Sequence, residues 1–174
     1  YYCGLHEFEE MGFLLHLLRD SDVFADVGAN IGSYTILAAG VCGARTYSFE
    51  PCLPTFRRLC DNIRLNDLST LVQSINMAVG ASRGHLKFTE TNDTTNHVVL
   101  DQSEEKGTSV PVETLDAVTN EDCPCLLKID VEGFETEVIK GAGRALSCEK
   151  CVAVIMEVGG GRVMVLTNTN CIKN

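Results

Sequence analysis

An apolar strand that ends at a carboxylate and two glycines is the feature that most constrains the fold of this chain. Residues 23–32 read V-F-A-D-V-G-A-N-I-G, and a short helix is predicted directly after them, over residues 33–39. A second apolar strand, residues 45–49, follows that helix and ends before Glu50. A strand, a glycine turn, a helix and a second strand in this order predict a βαβ unit whose glycine turn faces a nucleotide-bearing cofactor.

The rest of the chain repeats the same alternation of strand and helix patterns. Apolar runs predict three more strands, and apolar residues at helical spacing predict three more helices. The predicted strands are residues 71–76, 126–130 and 152–158, and the predicted helices are residues 7–18, 53–66 and 134–146. Repeated β-then-α units predict an α/β fold, with a Rossmann-like and mostly parallel sheet in a three-layer α/β/α arrangement.

Two regions depart from that alternation. After the third strand, short alternating strands at 85–88 and 109–112 flank a polar tract, which predicts a β insertion with a mobile loop. Little sequence follows the fifth strand, although residues 162–166 offer one short strand. We therefore expect one domain over residues 1–174, with its core at 20–158, a C-terminus that looks truncated, and a fifth strand at an exposed edge.

The charge of the chain limits its partners. The formal net charge is −10 at pH 7, whereas a protein that binds a phosphate backbone or an anionic membrane needs a positive surface. No apolar run approaches the roughly 20 residues that span a bilayer. We expect a cytoplasmic protein whose partner is a small molecule or a glycan, and neither a nucleic acid nor a membrane.

The spacing of the glycine turn indicates which cofactor it binds. Dinucleotide sites read G-x-G-x-x-G, whereas this turn reads D-x-G-x-N-x-G, with Asp26 before Gly28 and Asn30 before Gly32. Asp26 would repel a pyrophosphate, but it suits the ammonium of S-adenosylmethionine, a cofactor that has a ribose and an adenine but no phosphate. The alternative is structural, with Asp26 capping a helix and the glycines forming a tight turn.

The ends of the second and third strands supply further cofactor candidates. Glu50 lies 24 residues after Asp26, and a carboxylate at that offset can accept hydrogen bonds from both ribose hydroxyls. The third strand leads into Asn76, Met77 and Ala78, where the adenine is expected. The alternatives are a solvated turn for Glu50 and simple core packing for the apolar residues.

The fourth strand carries candidates for catalysis. Residues 128–135 read K-I-D-V-E-G-F-E, and the carboxyl edge of an open α/β sheet is where ligands bind. Asp130 and Glu132 can fix the cofactor ammonium, orient a substrate hydroxyl or accept its proton. Alternatively, Glu132 only stabilises the N-terminus of the next helix. Asp130, the last residue of the predicted strand, is the stronger candidate.

Several strings, taken in order, make the chain similar to the FkbM-type methyltransferase family. They are D-V-G-A-N-I-G at 26–32, F-E-P at 49–51, Asn62 with Asn66, T-L-D at 114–116 and K-I-D-V-E-G-F-E at 128–135. The resemblance covers about residues 7–157 and implies S-adenosylmethionine-dependent methylation of oxygen on a sugar or another small metabolite. The cofactor residues that it implies are Asp26, Gly28, Asn30, Gly32 and Glu50.

The resemblance leaves the general base open. His97 follows Asn96 and the polar tract. Similar sequences often carry an Asn-His pair there, and an imidazole is the usual proton acceptor near neutral pH. Asp130 is the competing base, and the structural alternative for His97 is a loop residue at the start of an apolar run.

The cysteines suggest two readings. Nine of them are scattered through strand-like and helical segments, which predicts free thiols in a reducing compartment rather than a disulfide framework. However, Cys123 and Cys125 precede the fourth strand, and Cys148 and Cys151 precede the fifth. If those strands are parallel neighbours, four sulfurs meet at one edge and could bind zinc. The C-x-C spacing is poor for zinc, so we expect no metal.

Two other functions stay open. An NAD-dependent oxidoreductase shares the strand, the glycine turn and the distal acid, but the D-x-G-x-N-x-G spacing disfavours it. The other is a cofactor-binding domain without turnover, because the C-terminal strands that complete this class of sheet and part of the acceptor pocket look absent. The sequence identifies neither the acceptor nor the oligomeric state.

Overall fold

The structure is a computed structural model that describes residues 5–89, 98–99, 107–158 and 162–167. Its helices are α1 (Phe8–Leu17), α2 (Ser33–Gly40), α3 (Leu53–Leu65), α4 (Leu115–Thr119), α5 (Glu135–Lys140) and α6 (Gly143–Ser147). Its strands are β1 (Val23–Val27), β2 (Arg45–Phe49), β3 (Val72–Ile75), β4 (Ala78–Val79), β5 (Gly84–Thr89), β6 (Val98–Val99), β7 (Gly107–Glu113), β8 (Leu126–Ile129), β9 (Ala153–Val158) and β10 (Arg162–Thr167). Within these ranges, no helix has the length and hydrophobicity needed to cross a membrane.

One six-stranded sheet organises the molecule, in the order β10-β9-β8-β1-β2-β3. All of its pairs are parallel except β10 with β9. The chain runs outward from β1 to β3 and then returns to the other side of β1 as β8 and β9. The strand order therefore reverses between β1 and β8, and open α/β sheets bind ligands at such a point, outside the carboxyl ends of the strands. The predicted α/β fold with a mostly parallel sheet is confirmed.

Helices cover both faces of the sheet because its central strands are apolar on both sides. Every residue of β1 and of β8 is buried. On one face Val27 and Ile129 share a core with Val138 of α5, and on the other Phe24 shares a core with Leu14 of α1. A sheet that is buried on both faces needs a layer of helices on each, so the three-layer arrangement is confirmed.

The β insertion forms a second, four-stranded sheet in the order β4-β7-β5-β6. Since β4 follows β3 closely in the chain, this small sheet starts at the carboxyl edge of the main sheet. Ala78, Val110 and Val112 form its own core, against which Leu86 packs. The predicted insertion is confirmed, while most of the polar tract, predicted as a mobile loop, lies outside the described residues.

The last parallel strand, β9, is not an edge strand. β10 pairs with it in antiparallel fashion along its full length, from Arg162 opposite Val158 to Thr167 opposite Ala153. The predicted exposed edge is therefore wrong. The physical reason is that the segment 162–166 supplies hydrogen-bond partners for backbone groups that β9 would otherwise leave unpaired.

The predicted helix over residues 134–146 is wrong in one respect, because the structure divides it into α5 and α6. The Asp116 carboxylate accepts hydrogen bonds from the amides of Arg144 (2.7 Å) and Ala145 (2.9 Å). In a continuous helix those amides would donate to carbonyls four residues earlier. The Asp116 carboxylate therefore caps the N-terminus of α6. The Asp116 amide also donates to the Gly141 carbonyl at 3.1 Å.

Gly141 is expected to tolerate no larger residue. An added Cβ would lie 2.0 Å from the carbonyl oxygen of Gly80, a backbone atom that cannot rotate away. Gly141→Ala is therefore expected to lower the free energy of unfolding by about 2 kcal/mol, measured by urea denaturation. Gly12→Ala in α1 is the control, because nothing lies within 4 Å of its added Cβ and alanine favours a helix by up to about 1 kcal/mol. Equal effects of the two substitutions would contradict the packing argument.

Cys123 and Cys148 form a disulfide, with their Cα atoms 6.4 Å apart. Cys123 precedes β8, Cys148 precedes β9, and these strands are parallel neighbours. The prediction of free thiols is wrong for these two residues, because the parallel pairing brings them within bonding reach. The disulfide also removes two of the four sulfurs from the zinc alternative. Among the described residues, no three His, Cys, Asp or Glu side chains are grouped as metal ligands.

Candidate functional site

The carboxyl ends of β1, β2 and β8 bring several of the predicted site residues together. In the strand registers Asp26 of β1 lies opposite Ser48 of β2 and opposite Lys128 of β8. Glu50 and Asp130 follow directly after β2 and β8. Because these strands are adjacent and parallel, their ends form one crevice where the strand order reverses.

Contacts within the protein require the two glycines of the turn. Gly28 (φ +80°) and Gly32 (φ +96°) have left-handed backbones, which glycine adopts without strain. A Cβ at Gly28 would lie 1.8 Å from the carbonyl oxygen of Asp130, and one at Gly32 would lie 2.5 Å from Cδ1 of Leu59. The glycines therefore let the turn pack against the end of β8 and against α3, a role that the sequence does not reveal.

The amides of the turn donate hydrogen bonds within the protein. Gly28 and Ala29 donate to the carbonyl of Phe49 at 3.0 and 2.9 Å, and Asn30 donates to Oε2 of Glu50 at 3.0 Å. A dinucleotide site uses such amides to bind pyrophosphate. Here they tie the turn to the end of β2, which disfavours the NAD alternative.

Helix α3 holds the same turn from outside. The Asn62 side chain donates to the carbonyl of Ile31 at 2.8 Å, and the Asn66 side chain donates to the carbonyl of Asn62 at 2.8 Å. Both asparagines belong to the strings that carry the family resemblance. Since these contacts are with backbone carbonyls, the asparagines fix the shape of the turn and the end of α3.

Glu50 is a buried carboxylate at the end of β2, and only 7% of it is exposed. Its Oε1 accepts a hydrogen bond from the Cys52 amide (2.8 Å), and its Oε2 accepts one from the Asn30 amide (3.0 Å). Burial raises the pKa of Glu50 to about 7, against the two amides, which lower it. A carboxyl that titrates near neutral pH in a strand-end crevice is typical of functional sites.

Asp26 is fully buried, with 0% exposure. Its Oδ2 accepts a hydrogen bond from the Thr35 hydroxyl at 2.7 Å. Its Oδ1 has no hydrogen-bond partner among the described residues, although the Lys128 ammonium lies 3.7 Å away. Burial raises the pKa of Asp26, and the charge of Lys128 opposes that rise. Asp26 therefore faces the interior of the protein rather than the open crevice.

Lys128 is a buried cation next to Asp26. Its ammonium donates to Oδ2 of Asp130 (3.1 Å) and to the Gly28 carbonyl (3.4 Å), and it lies 4.9 Å from the centre of the Tyr34 ring. Burial alone would lower the pKa of Lys128, but the carboxylates of Asp26 and Asp130 raise it by more. The lysine therefore stays charged, and it links the glycine turn to the end of β8.

The three candidates after β3 differ in their contacts. The Asn76 side-chain nitrogen donates to the carbonyls of Glu50 (2.8 Å) and Pro51 (3.0 Å), so it holds the turn after β2. Met77 packs, partly buried, against the core under α5 and α6. Ala78 is buried as the first residue of β4. Asn76 is thus the one of these three residues whose side chain donates hydrogen bonds to the Glu50 segment.

The candidate bases are placed differently. Asp130 follows β8, and its side chain is 33% exposed while it accepts from Lys128. Glu132 is exposed and has a left-handed backbone, with φ +49°. His97 lies outside the described residues. Of the two described candidates, Asp130 is the one joined to the buried group around Asp26.

The two side chains that contact Asp26 directly, those of Thr35 and Lys128, are not among the predicted site residues. Thr35 holds Asp26 and also shares a hydrogen bond of 2.7 Å with the Ser48 hydroxyl. Lys128 has a sequence signal, because a lysine within an otherwise apolar strand needs buried partners. Thr35 has no such signal, since a threonine in the first turn of a helix is ordinary.

A cavity of about 430 Å³ adjoins the residues after β3. Arg83 Nε lies 3.8 Å from Glu113 Oε2, so a cation and an anion face each other at its wall. The residues that line it include Met77, Arg83, His85, Pro111, Val112 and Glu113. Met77 lines this cavity. Its neighbour in the chain, Asn76, donates the hydrogen bond to the Glu50 carbonyl.

A switch-point crevice, a glycine turn and a buried acid after the second strand define the Rossmann-like class of cofactor-binding domains. The chain belongs to the FkbM methyltransferase family, because the Methyltransferase FkbM domain matches residues 26–164. That match includes the glycine turn, Glu50 and Asp130. The family that the sequence predicts is confirmed.

One relative and two solved structures are similar to this chain. The Hexuronic acid methyltransferase AglP of Haloferax volcanii is 29% identical over 84% of the chain, which spans 60% of the relative's length. The methyltransferase FkbM from Methylobacillus flagellatus KT has a TM-score of 0.60 at 23% identity, covering 81% of this chain and 34% of that one. The precorrin-6y C5,15-methyltransferase from Geobacter metallireducens GS-15 has a TM-score of 0.53 at 15% identity, covering 87% and 63%. The two structures share the fold.

Proposed function

We propose that this domain is an S-adenosylmethionine-dependent methyltransferase that methylates a hydroxyl group of a sugar or another small metabolite. The observation that carries the proposal is Glu50, a buried carboxylate after the second strand that is bonded to the glycine turn. When ionised it can accept hydrogen bonds from the two vicinal hydroxyls of a ribose. Family membership supports methyl transfer as the reaction class.

The crevice fits the parts of that cofactor. Glu50 would hold the ribose. Asp26, whose Oδ1 has no hydrogen-bond partner among the described residues, belongs to an acidic group that suits a cationic ligand. When bound, the cofactor supplies an electrophilic methyl group on a sulfonium. The residues proposed to hold it are Asp26, Gly28, Asn30, Gly32, Glu50, Asn76, Met77 and Ala78.

The chain's own part in the reaction is alignment and proton removal. Methyl transfer is an in-line displacement, so placing the acceptor oxygen supplies much of the acceleration. The acceptor hydroxyl also loses a proton. Asp130, one-third exposed at the crevice, is the proposed base, and Glu132 and His97 are the other candidates.

The proposed acceptor is a hydroxyl of a sugar or glycan. The relative from Haloferax volcanii is named for hexuronic acid. The cavity beside Met77 offers the Arg83 guanidinium, the Glu113 carboxylate and the apolar ring of Pro111, which suit the hydroxyls and the apolar face of a sugar ring. The net charge of −10 disfavours a nucleic-acid acceptor.

A cytoplasmic location stays a prediction. The Cys123–Cys148 disulfide weighs against it, because reducing compartments rarely keep disulfides. Alkylation of thiols in intact cells, followed by analysis of these two cysteines, would show whether the bond is present where the protein resides.

The alternative is a domain that binds the cofactor without turning it over. The chain spans 60% of the length of the hexuronic acid methyltransferase, and binding of a cofactor does not by itself show turnover. Binding and turnover are therefore measured separately.

Calorimetric titration with S-adenosylhomocysteine tests cofactor binding. The wild-type protein is expected to bind it, and so is Glu121→Ala, which removes an exposed carboxylate near the start of β8. Glu50→Ala is expected to bind at least about 30-fold more weakly, because the ribose loses hydrogen bonds to a charged acceptor. Protection by NAD but not by S-adenosylhomocysteine in a melting assay would overturn the assignment.

Transfer of a labelled methyl group tests the acceptor. The substrates are hexuronic acid glycosides and the matching neutral hexose glycosides. A methylated hydroxyl is an ether that survives mild alkali, whereas a methylated carboxyl is an ester that does not. Alkali-stable label on a sugar is the expected result, and cofactor binding without transfer to any acceptor would favour the alternative.

A further inference from the structure

One buried cation beneath the glycine turn has no part in the cofactor contacts or the proton transfer described above. Lys128 is 6% exposed. Its ammonium lies 3.1 Å from Oδ2 of Asp130, 3.4 Å from the Gly28 carbonyl and 3.7 Å from Oδ1 of Asp26. These acceptors belong to the end of β8, the glycine turn and β1, so one ammonium joins three segments of the crevice.

Lys128 has two acidic neighbours. The carboxylates of Asp26 and Asp130 lie 3.7 and 3.1 Å from its ammonium. A buried ammonium needs one anionic partner to offset its desolvation, and here it has two. When ionised, the second carboxylate attracts a cationic ligand and repels a phosphate.

That charge reaches the crevice through Asp130. The Asp130 side chain is 33% exposed, whereas the Asp26 side chain is 0% exposed. The unpartnered oxygen of Asp26 faces the Lys128 ammonium in the interior of the protein, where a ligand cannot reach it without a change in the packing. Asp26 therefore pairs with Lys128 in the interior, and Asp130 is the carboxylate that a ligand can reach.

We propose that Lys128 is a positioning residue for the amino-acid end of the cofactor. It holds the Asp130 carboxylate and the Gly28 carbonyl side by side, where both accept hydrogen bonds from the cofactor's ammonium, and Asp26 fixes Lys128 in the interior. The inference rests on the proposed function and changes it at two points. Asp130 becomes a ligand of the cofactor's ammonium, which leaves proton removal to the other candidate bases named above. Asp26 acts through Lys128 and not on the cofactor directly.

Two probes that differ only in the amino-acid end separate this role from a general structural one. S-adenosylhomocysteine carries the ammonium and carboxylate, whereas 5′-methylthioadenosine keeps the adenine, ribose and thioether without them. Lys128→Met is expected to lower the affinity for S-adenosylhomocysteine by roughly 10- to 30-fold, because a hydrogen bond to a charged group is misplaced. The affinity for 5′-methylthioadenosine is expected to stay within about twofold, both measured by calorimetry.

The matched control is Lys140→Met. Lys140 is an exposed lysine whose ammonium contacts Glu137 at 2.5 Å, and its loss is expected to change neither affinity. Should Lys128→Met alone fail to fold, the double variant Asp26→Asn, Lys128→Met removes both buried charges and carries the same expectation. In an Asp130→Asn background Lys128→Met is expected to add little, because both substitutions remove the same contact.

Each outcome decides the matter. Selective loss of S-adenosylhomocysteine, with the non-additive effect in the Asp130→Asn background, supports the inference. If the wild-type protein binds both probes and Lys128→Met weakens both equally or neither, the positioning role is overturned while the proposed function stands. If the wild-type protein binds neither probe, the proposed function fails and the inference fails with it.

Discussion

Replacing Gly28 by alanine is expected to lower the free energy of unfolding by about 4 kcal/mol. The added Cβ would lie 1.8 Å from the carbonyl oxygen of Asp130, a backbone atom that has no alternative rotamer. The φ of +80° adds strain for any residue that carries a Cβ. Relief requires separating the glycine turn from the end of β8, so the affinity for S-adenosylhomocysteine is expected to fall together with stability.

Gly133→Ala separates the two causes of that loss. Gly133 has a φ of +95°, but nothing lies within 4 Å of its added Cβ. Only backbone strain is therefore expected, at about 1 kcal/mol, and urea denaturation of the two variants measures the difference. If both substitutions cost the same, the contact between the turn and the end of β8 is not the reason that glycine is needed at position 28.

The convergence of the acidic residues is predictable from the sequence because it depends only on sheet geometry. Asp26, Glu50 and Asp130 each lie at or just beyond the carboxyl end of an apolar run. In a parallel sheet such ends meet at one edge. The structure accordingly connects the glycine turn to Glu50 through Asn30 and to Asp130 through Lys128.

Which of these carboxylates is open to the crevice is not predictable from the sequence. Asp26 and Asp130 both end apolar runs, but Thr35 and Lys128 enclose the first and leave the second one-third exposed. Helix α2 supplies Thr35, and β8, far along the chain, supplies Lys128. The enclosure is therefore a product of tertiary packing, which no local pattern records.

The same limit applies to the division between α5 and α6. Residues 134–146 have a continuous helical pattern, and the side chain that interrupts it belongs to Asp116 in another element. The pairing of the cysteines is another feature that no local pattern predicts. Their positions before parallel strands place Cys123 and Cys148 at one edge, but only the Cα separation of 6.4 Å shows that they can bond.

Glu50→Gln is expected to change how the stability of the protein depends on pH. The pKa of Glu50 is about 7 in the fold against an ordinary value of 4.5, so between these values the folded state binds more protons than the unfolded state. The free energy of unfolding therefore falls as pH rises from about 4.5 to 7, and a penalty of about 3 kcal/mol persists above pH 7. Glutamine removes that penalty but leaves one backbone amide without an acceptor, which costs about 1 kcal/mol. The variant is expected to be more stable than the wild type by about 2 kcal/mol at pH 8 and slightly less stable at pH 5.

Glu50→Gln is also expected to lower the affinity for S-adenosylhomocysteine by about 100-fold at pH 8, because an amide replaces the charged acceptor of two ribose hydroxyls.

Wild-type affinity is expected to rise about tenfold from pH 6 to pH 8 as Glu50 ionises, and calorimetry at each pH should find no such rise in the Glu50→Gln variant. Glu121→Gln removes an exposed carboxylate as the control, and the difference between variant and wild type cancels the contribution of Asp26, whose pKa burial also raises. A wild-type affinity that is constant between pH 6 and pH 8 would show that Glu50 does not hold the ribose. A Glu50→Gln variant that is more stable but binds S-adenosylhomocysteine poorly would show that the buried Glu50 carboxylate favours ligand binding and lowers the free energy of unfolding.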